Sequence, residues 1–165
     1  MKKNIEKIIQ EHISKEMFDE FEEALSDLAT LDIEDDQVRI PPFDEETDDY
    51  VFSVGNVYVH VRKREELPSS GAFELFIVNN DDEVIGFIRG TKGGKMVSFN
   101  LIYIEPEERG WGIGTDIYKY FLNNGYVIKS DDEITDSTQA LYLNLVKAGY
   151  IPLIFDDGRV GLKKK

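Results

Sequence analysis

At 165 residues the chain suits one domain with an appended helix and is long enough to bury a core. It has no cysteine and only His12 and His60, which excludes disulfides, a thiolate zinc site, a cysteine nucleophile and a histidine-based metal centre, so no metal is expected. A formal charge of -14 argues against a general nucleic-acid binder, which needs clustered Lys and Arg. No apolar run approaches the length of a membrane span.

Met1-Lys2-Lys3-Asn4 leads into an amphipathic pattern and not a signal-peptide core, so a cytoplasmic protein without membrane contact is expected. The acidity has three readings: solubility alone, steering of a cationic acceptor, or a surface that imitates nucleic acid to occupy a basic protein. Residues 1–49 are expected to form an N-terminal amphipathic helix and an acidic linker, and residues 50–165 the main domain.

Between residues 4 and 31, Ile5, Ile8, Ile9, Ile13, Met17, Phe21, Ala24, Leu25 and Leu28 recur at steps of three and four. That period predicts one long helix, or two meeting near Ser14 to Met17. Such a helix covers the sheet, or else binds a partner and gives a homodimer. His12 reads as a surface residue. From Asp32 to Asp49 the chain is dense in acids and broken by Pro41-Pro42, which predicts a loop, without the glycine and closing glutamate of a calcium site.

Four strand-like runs follow: Tyr50 to Arg62, Ala72 to Val78, Val84 to Arg89 and Met96 to Ile104. The turns between them are marked by Asn79-Asn80-Asp81-Asp82 and by Gly90-Thr91-Lys92-Gly93-Gly94, and short loops predict an antiparallel meander. A helix from Gly112 carries Ile113, Ile117 and Phe121 on one stripe and closes at Asn123-Asn124-Gly125. Tyr126 to Lys129 is then a short strand, parallel to Met96–Ile104 because a helix separates them. Asp136 or Ser137 caps a second helix, Thr138 to Ala148, with Ala140, Leu141, Leu145 and Ala148 as its buried stripe. Tyr150 to Phe155 and Arg159 to Leu162 form a terminal hairpin. The fold class is α/β (α+β), a mixed, mostly antiparallel sheet flanked by helices.

Ile104-Glu105-Pro106-Glu107-Glu108-Arg109-Gly110-Trp111-Gly112-Ile113-Gly114-Thr115 joins a strand to a helix through a glycine-rich turn. Glycine lets the backbone take positive φ and lets a bulky anion sit against the peptide groups. Up to four N–H groups of a first helical turn lack an intrahelical acceptor, and the macrodipole places roughly half a positive charge there. A phosphate or pyrophosphate is the natural occupant, and Arg109 adds a cationic fork. The other reading is a turn that merely packs a helix tightly on a sheet.

Arg109-Gly110-Trp111-Gly112-Ile113-Gly114 is similar to the Arg/Gln-x-x-Gly-x-Gly/Ala pattern with which the GNAT acyl-CoA N-acyltransferase superfamily holds the pyrophosphate of coenzyme A. The order of elements resembles that fold from about Val57 to the C-terminus. The resemblance implies acetyl-CoA, or another acyl-CoA, bound by Ile102, Ile104, Arg109, Gly110, Trp111, Gly112, Ile113, Gly114, Thr115 and Ser137. Peptide groups of the strand near Ile102 to Ile104 would pair with the pantetheine arm and polarise the thioester. The acceptor would be an amine of a small molecule or a protein.

Catalytic residues match less closely. The family often places a tyrosine four residues before the glycine of its Gly-Phe/Tyr ending, where here Leu145 precedes Gly149-Tyr150. Tyr142, one turn earlier, is the candidate acid, and Asn100 is the other catalytic candidate, on a strand, Met96–Ile104, that contains no acid to act as base. Lys129-Ser130-Asp131 resembles phage-encoded GNAT-like proteins. The competing function is an acidic GNAT-like protein without catalysis that binds a basic host or nucleic-acid-processing protein.

Overall fold

The computed structural model describes residues 2–32, 38, 40, 41, 49–63 and 71–165, with side chains described at 15–32, 38, 40, 41, 51–61 and 71–165. His12 and the first turns of the apolar stripe lie outside the described side chains, and most of the acidic 32–49 segment lies outside the described residues. Among the described residues no helix is long and apolar enough to cross a membrane.

The first element is one unbroken helix, α1 (Lys2–Leu28). Phe21 and Leu25, one turn apart, are fully buried, and Ala24 and Leu28 pack beside them. Its end is tied down across the chain: Leu31 N–H donates to the Ile134 carbonyl at 3.1 Å and Ile134 N–H to that of Leu28 at 2.8 Å.

Where one strand is expected over Tyr50 to Arg62, the structure has a hairpin, β1 (Asp49–Val54) and β2 (Val57–Lys63), in register Val54↔Val57. Apolar residues stand close on both sides of the turn, Phe52 and Val54 before it and Val57 and Val59 after it, so the two runs read as one. Gly55-Asn56, with Gly55 at φ 52°, supplies the positive φ that a two-residue hairpin loop requires. Next come β3 (Ala72–Val78), β4 (Val84–Gly93) and β5 (Met96–Ile104). The β3–β4 turn is held by Asn79, whose Oδ1 accepts from the N–H groups of Asp81 and Glu83, both at 2.9 Å.

β4 runs four residues further than its expected end at Arg89, because Gly90 lies in the ladder and not in a turn. A Cβ there would stand 2.4 Å from the Ser98 carbonyl oxygen and 2.7 Å from the Phe73 ring, so only glycine permits the approach.

After the glycine turn come α2 (Ile113–Asn123), β6 (Val127–Lys129), α3 (Asp136–Lys147), β7 (Ile151–Ile154) and β8 (Val160–Lys163). The sheet order is β1-β2-β3-β4-β5-β6-β8-β7, antiparallel throughout except for the parallel β5–β6 pair. This is the mixed, mostly antiparallel sheet flanked by helices that the sequence predicts. Thr135, not Asp136 or Ser137, is the N-cap of α3, accepting from Thr138 N–H at 3.2 Å.

The buried face of α3 is also rotated from the expected stripe. Tyr142 and Leu145 are buried, whereas Ala140 and Ala148 are exposed. The tyrosine ring removes far more apolar area from water than two methyl groups, so it decides the rotation.

One cluster gathers the helices on one face of the sheet: Phe21 and Leu25 of α1, Ile117, Tyr118 and Leu122 of α2, and Tyr142 and Leu145 of α3 meet Leu75, Ile88, Val97 and Phe99. The β4–β5 register shifts between Arg89↔Leu101 and Gly90↔Phe99, leaving Asn100 as the extra residue of a bulge. The bulge changes parity, so Val97 and Phe99 before it and Ile102 and Ile104 after it all turn toward the helices.

Candidate functional site

β6 pairs with β5 only through Met96↔Val127 and Val97↔Ile128, so the rest of that β5 edge has no neighbouring strand. On the other edge Glu105 N–H donates to the Ile85 carbonyl at 2.8 Å. Antiparallel alternation then directs the peptide groups of Tyr103 and Leu101 toward β4 and those of Ile102 and Ile104 outward. They face a cavity of about 730 Å³.

Ile102 and Ile104 form its floor. Arg109, Gly110, Gly112 and the first turn of α2 (Ile113, Gly114, Thr115) form one wall. The first turns of α3, with Ser137, Ala140 and Leu141, form the other, and Leu31, Asp32 and Val38 stand at the edge.

The glycine wall has a local cause for each bend. Pro106–Glu108 makes a single 3-10 turn with proline at its start, closed by Arg109 N–H to the Pro106 carbonyl at 3.3 Å. Gly110 and Gly112 follow at φ 88° and 79°. Gly112 is the N-cap of α2, and no side chain hydrogen-bonds to that helix start. A Ser, Thr or Asp N-cap would normally satisfy an amide there, so its absence leaves the first-turn N–H groups for a ligand or water. No atom lies within 4 Å of where a Cβ at Gly110 or Gly112 would be, which is the open cradle an anion needs. Gly114 answers to a different demand: its Cβ would meet Leu141 Cδ1 at 3.3 Å, so it also sets how closely α2 approaches α3.

Arg109 is fastened to the outward edge of β5. Its Nε donates to the Ile104 carbonyl at 2.7 Å, and its guanidinium lies 5.5 Å from the Tyr103 ring centre. Tyr103 in turn donates its hydroxyl to Glu105 Oε2 at 3.3 Å.

Of the ten residues expected to bind the coenzyme, nine line this groove, and Trp111 does not. Its side chain is 78 % exposed and leaves the groove open. The two catalytic candidates are not brought there. Tyr142 is 1 % exposed, packed edge-on against Tyr118 with ring centres 5.8 Å apart and against Phe21 at 6.3 Å. Burial pushes its hydroxyl well above the usual tyrosine range, only partly offset by the hydrogen bond from Tyr118. A group without access to the groove does not protonate a ligand in it, so Tyr142 is a core residue. Asn100 is the exposed bulge residue of β5 and does not line the groove either.

Residues that sequence reasoning passed over also reach the groove: Asp32, Glu108, Thr135, Asp136, Thr138 and Asn144. The run Thr135-Asp136-Ser137-Thr138 was legible as a helix start, and of its four residues only Ser137 was expected at the groove. For Asp32 there was no signal beyond its charge.

No family model matches the chain, and no curated protein matches it in sequence. Solved structures do resemble it. A GNAT-family acetyltransferase from Staphylococcus aureus is 13% identical over 58% of this chain and 69% of its own, with a TM-score of 0.40. The PaiA N-acetyltransferase from Thermoplasma acidophilum, solved with coenzyme A, is 18% identical over 58% of this chain and 62% of its own, with a TM-score of 0.40. A dodecameric spermidine N-acetyltransferase from Vibrio cholerae is 15% identical over 59% of this chain and 67% of its own, with a TM-score of 0.41. The matched region thus spans less than two thirds of the Thermoplasma protein. What the groove of this chain binds has to be judged from its own geometry.

Proposed function

We propose that this chain is an acyl-CoA-dependent N-acyltransferase, acetyl-CoA being the donor and an amine of a small molecule or protein the acceptor. The observation that carries the reading is the uncapped start of α2, opened by Gly110 and Gly112 onto the 730 Å³ groove. The amides from Gly112 to Thr115 would hold the diphosphate, with Arg109 across the end of β5. The outward N–H and C=O groups of Ile102 would hold the pantetheine amides as an added strand would. When bound, the coenzyme supplies an acyl group activated as a thioester. The chain contributes mainly orientation, which can be worth roughly 7–11 kcal/mol of a barrier. Asp32, Glu108 and Asp136 line the groove and would draw in a cationic amine and accept its proton.

Isothermal titration with acetyl-CoA tests the reading. Micromolar binding, followed by release of free thiol in the presence of an amine, supports it; no heat at millimolar coenzyme refutes it.

A second reading is favoured by one observation, the burial of Tyr142 away from the groove. It makes the chain an acidic binding protein for a basic host or nucleic-acid-processing protein, with no transfer. That reading predicts salt-sensitive capture of such a partner and no thiol release even with coenzyme bound.

A further inference from the structure

Trp111 is the only tryptophan in the chain, and it stands between two left-handed glycines at the start of α2 with 78 % of its surface exposed. Tryptophan is seldom left so open in a folded domain. Among the described residues no ring, cation or hydrogen-bond partner engages the indole, whereas the neighbouring Arg109 is fixed on Ile104 and Tyr103. The indole is not part of the groove lining, although Gly110 and Gly112 on either side of it are, and no side chain caps the helix start that follows.

A ligand held by the amides of that helix start through a diphosphate, with one arm along Ile102 and Ile104, must carry its other end out of the groove past the glycine turn. We infer that Trp111 is a stacking platform for the purine of a nucleotide ligand, clamping the adenosine end of the coenzyme outside the groove. The inference rests on the coenzyme reading above and adds to it a residue for the nucleoside end. An indole offers a flat π face that pairs with adenine without needing a shaped pocket, which suits a ring exposed on a turn.

Because Trp111 is the sole tryptophan, its fluorescence reports directly on that face. Coenzyme A and 4′-phosphopantetheine share the arm, but only the first carries a purine. Coenzyme A is expected to quench and shift the emission, and phosphopantetheine to leave it nearly unchanged. By calorimetry, Trp111→Ala should weaken coenzyme A about 5- to 150-fold, the range for one lost base–aromatic stack, while Trp111→Phe recovers part of the loss. Phosphopantetheine affinity should be the same in all three proteins. Unchanged coenzyme A affinity in Trp111→Ala overturns the inference and leaves the coenzyme reading standing. An equal loss for both ligands also overturns it, since the turn and not the stack was then damaged. If the unaltered protein binds neither ligand, the coenzyme reading itself falls.

Discussion

Gly112→Val separates the two jobs of the glycine turn. The position sits at φ 79°, and nothing lies within 4 Å of the added Cβ, so the substitution meets a backbone penalty without a steric clash. A β-branched residue held at positive φ costs about 1–3 kcal/mol. Set against a typical stability of about 5–15 kcal/mol, that leaves the protein folded. The expected fall in Tm is roughly 2–4 °C per kcal/mol for a domain of this size.

Relieving the strain rotates the turn and withdraws amides from the anion. Two lost hydrogen bonds to a charged group, at about 1.5–3 kcal/mol each, weaken coenzyme A by roughly two to four orders of magnitude. Gly125→Val is the matched control: φ is 85°, the Cβ is again unobstructed, and the residue lies at the far end of α2 away from the groove. It should show the same thermal shift and unchanged affinity. Calorimetry and thermal melts on both variants decide the matter. Equal affinity losses in the two, or none in Gly112→Val, would refute the assignment of the diphosphate to this turn.

Arg109→Ala removes the donor on the Ile104 carbonyl and a cation from the groove; coenzyme A affinity should fall about tenfold with little change in Tm, measured by calorimetry. Phe21→Ala should cost about 3–5 kcal/mol by denaturant unfolding, still in one transition, because the fully buried ring belongs to the core shared by the helices and the sheet. Two transitions would mean that α1 folds apart from the rest.

Burial raises the hydroxyl pKa values of Tyr118 and Tyr142 above their unfolded value of about 10. The folded state therefore keeps protons that the unfolded state loses, and stability should hold up to about pH 10 and fall as pH rises further. Tyr142→Phe should reduce that alkaline fall, and should leave any transfer rate near neutral pH within about twofold, since a core hydroxyl takes no part in proton transfer.

How much of this was legible depends on whether the deciding interaction was local. The ends of β3 and β5 could be read to the residue because turn-formers such as Asn79 and Gly94 bound each apolar run. Gly55-Asn56 was not legible as a turn because apolar residues resume at once on either side of it, at Val54 and Val57, and a glycine inside such a run reads equally as strand or turn. Gly90 is the converse, a turn-former by composition that the Phe73 ring holds within a strand, a contact from another element that no local window contains.

The same division runs through the site. The glycine turn is a local device and was visible. The rotation of α3 is set by packing against Phe21 and Tyr118, more than a hundred and more than twenty residues away in sequence. That rotation turns Tyr142 into the core while Ser137 and Leu141 line the groove.

The groove itself follows from two shortfalls in the sheet. β6 is three residues long and pairs only at the start of β5, so it cannot cover the strand's far half. The bulge at Asn100 then keeps Ile102 and Ile104 directed toward the helices; by strict alternation from Phe99 they would have faced the opposite side of the sheet. An uncovered strand edge is ordinarily a hazard, since its unpaired amides and carbonyls template aggregation. Here Arg109 takes one such carbonyl, that of Ile104, and α3 walls the rest at a spacing set by the Gly114–Leu141 contact. The result is an edge open to one extended chain with amide groups of its own and closed to a second sheet. At its end stand the uncapped amides of α2. An extended amide-bearing arm attached to a diphosphate fits both features at once, which neither a free nucleotide nor a peptide does.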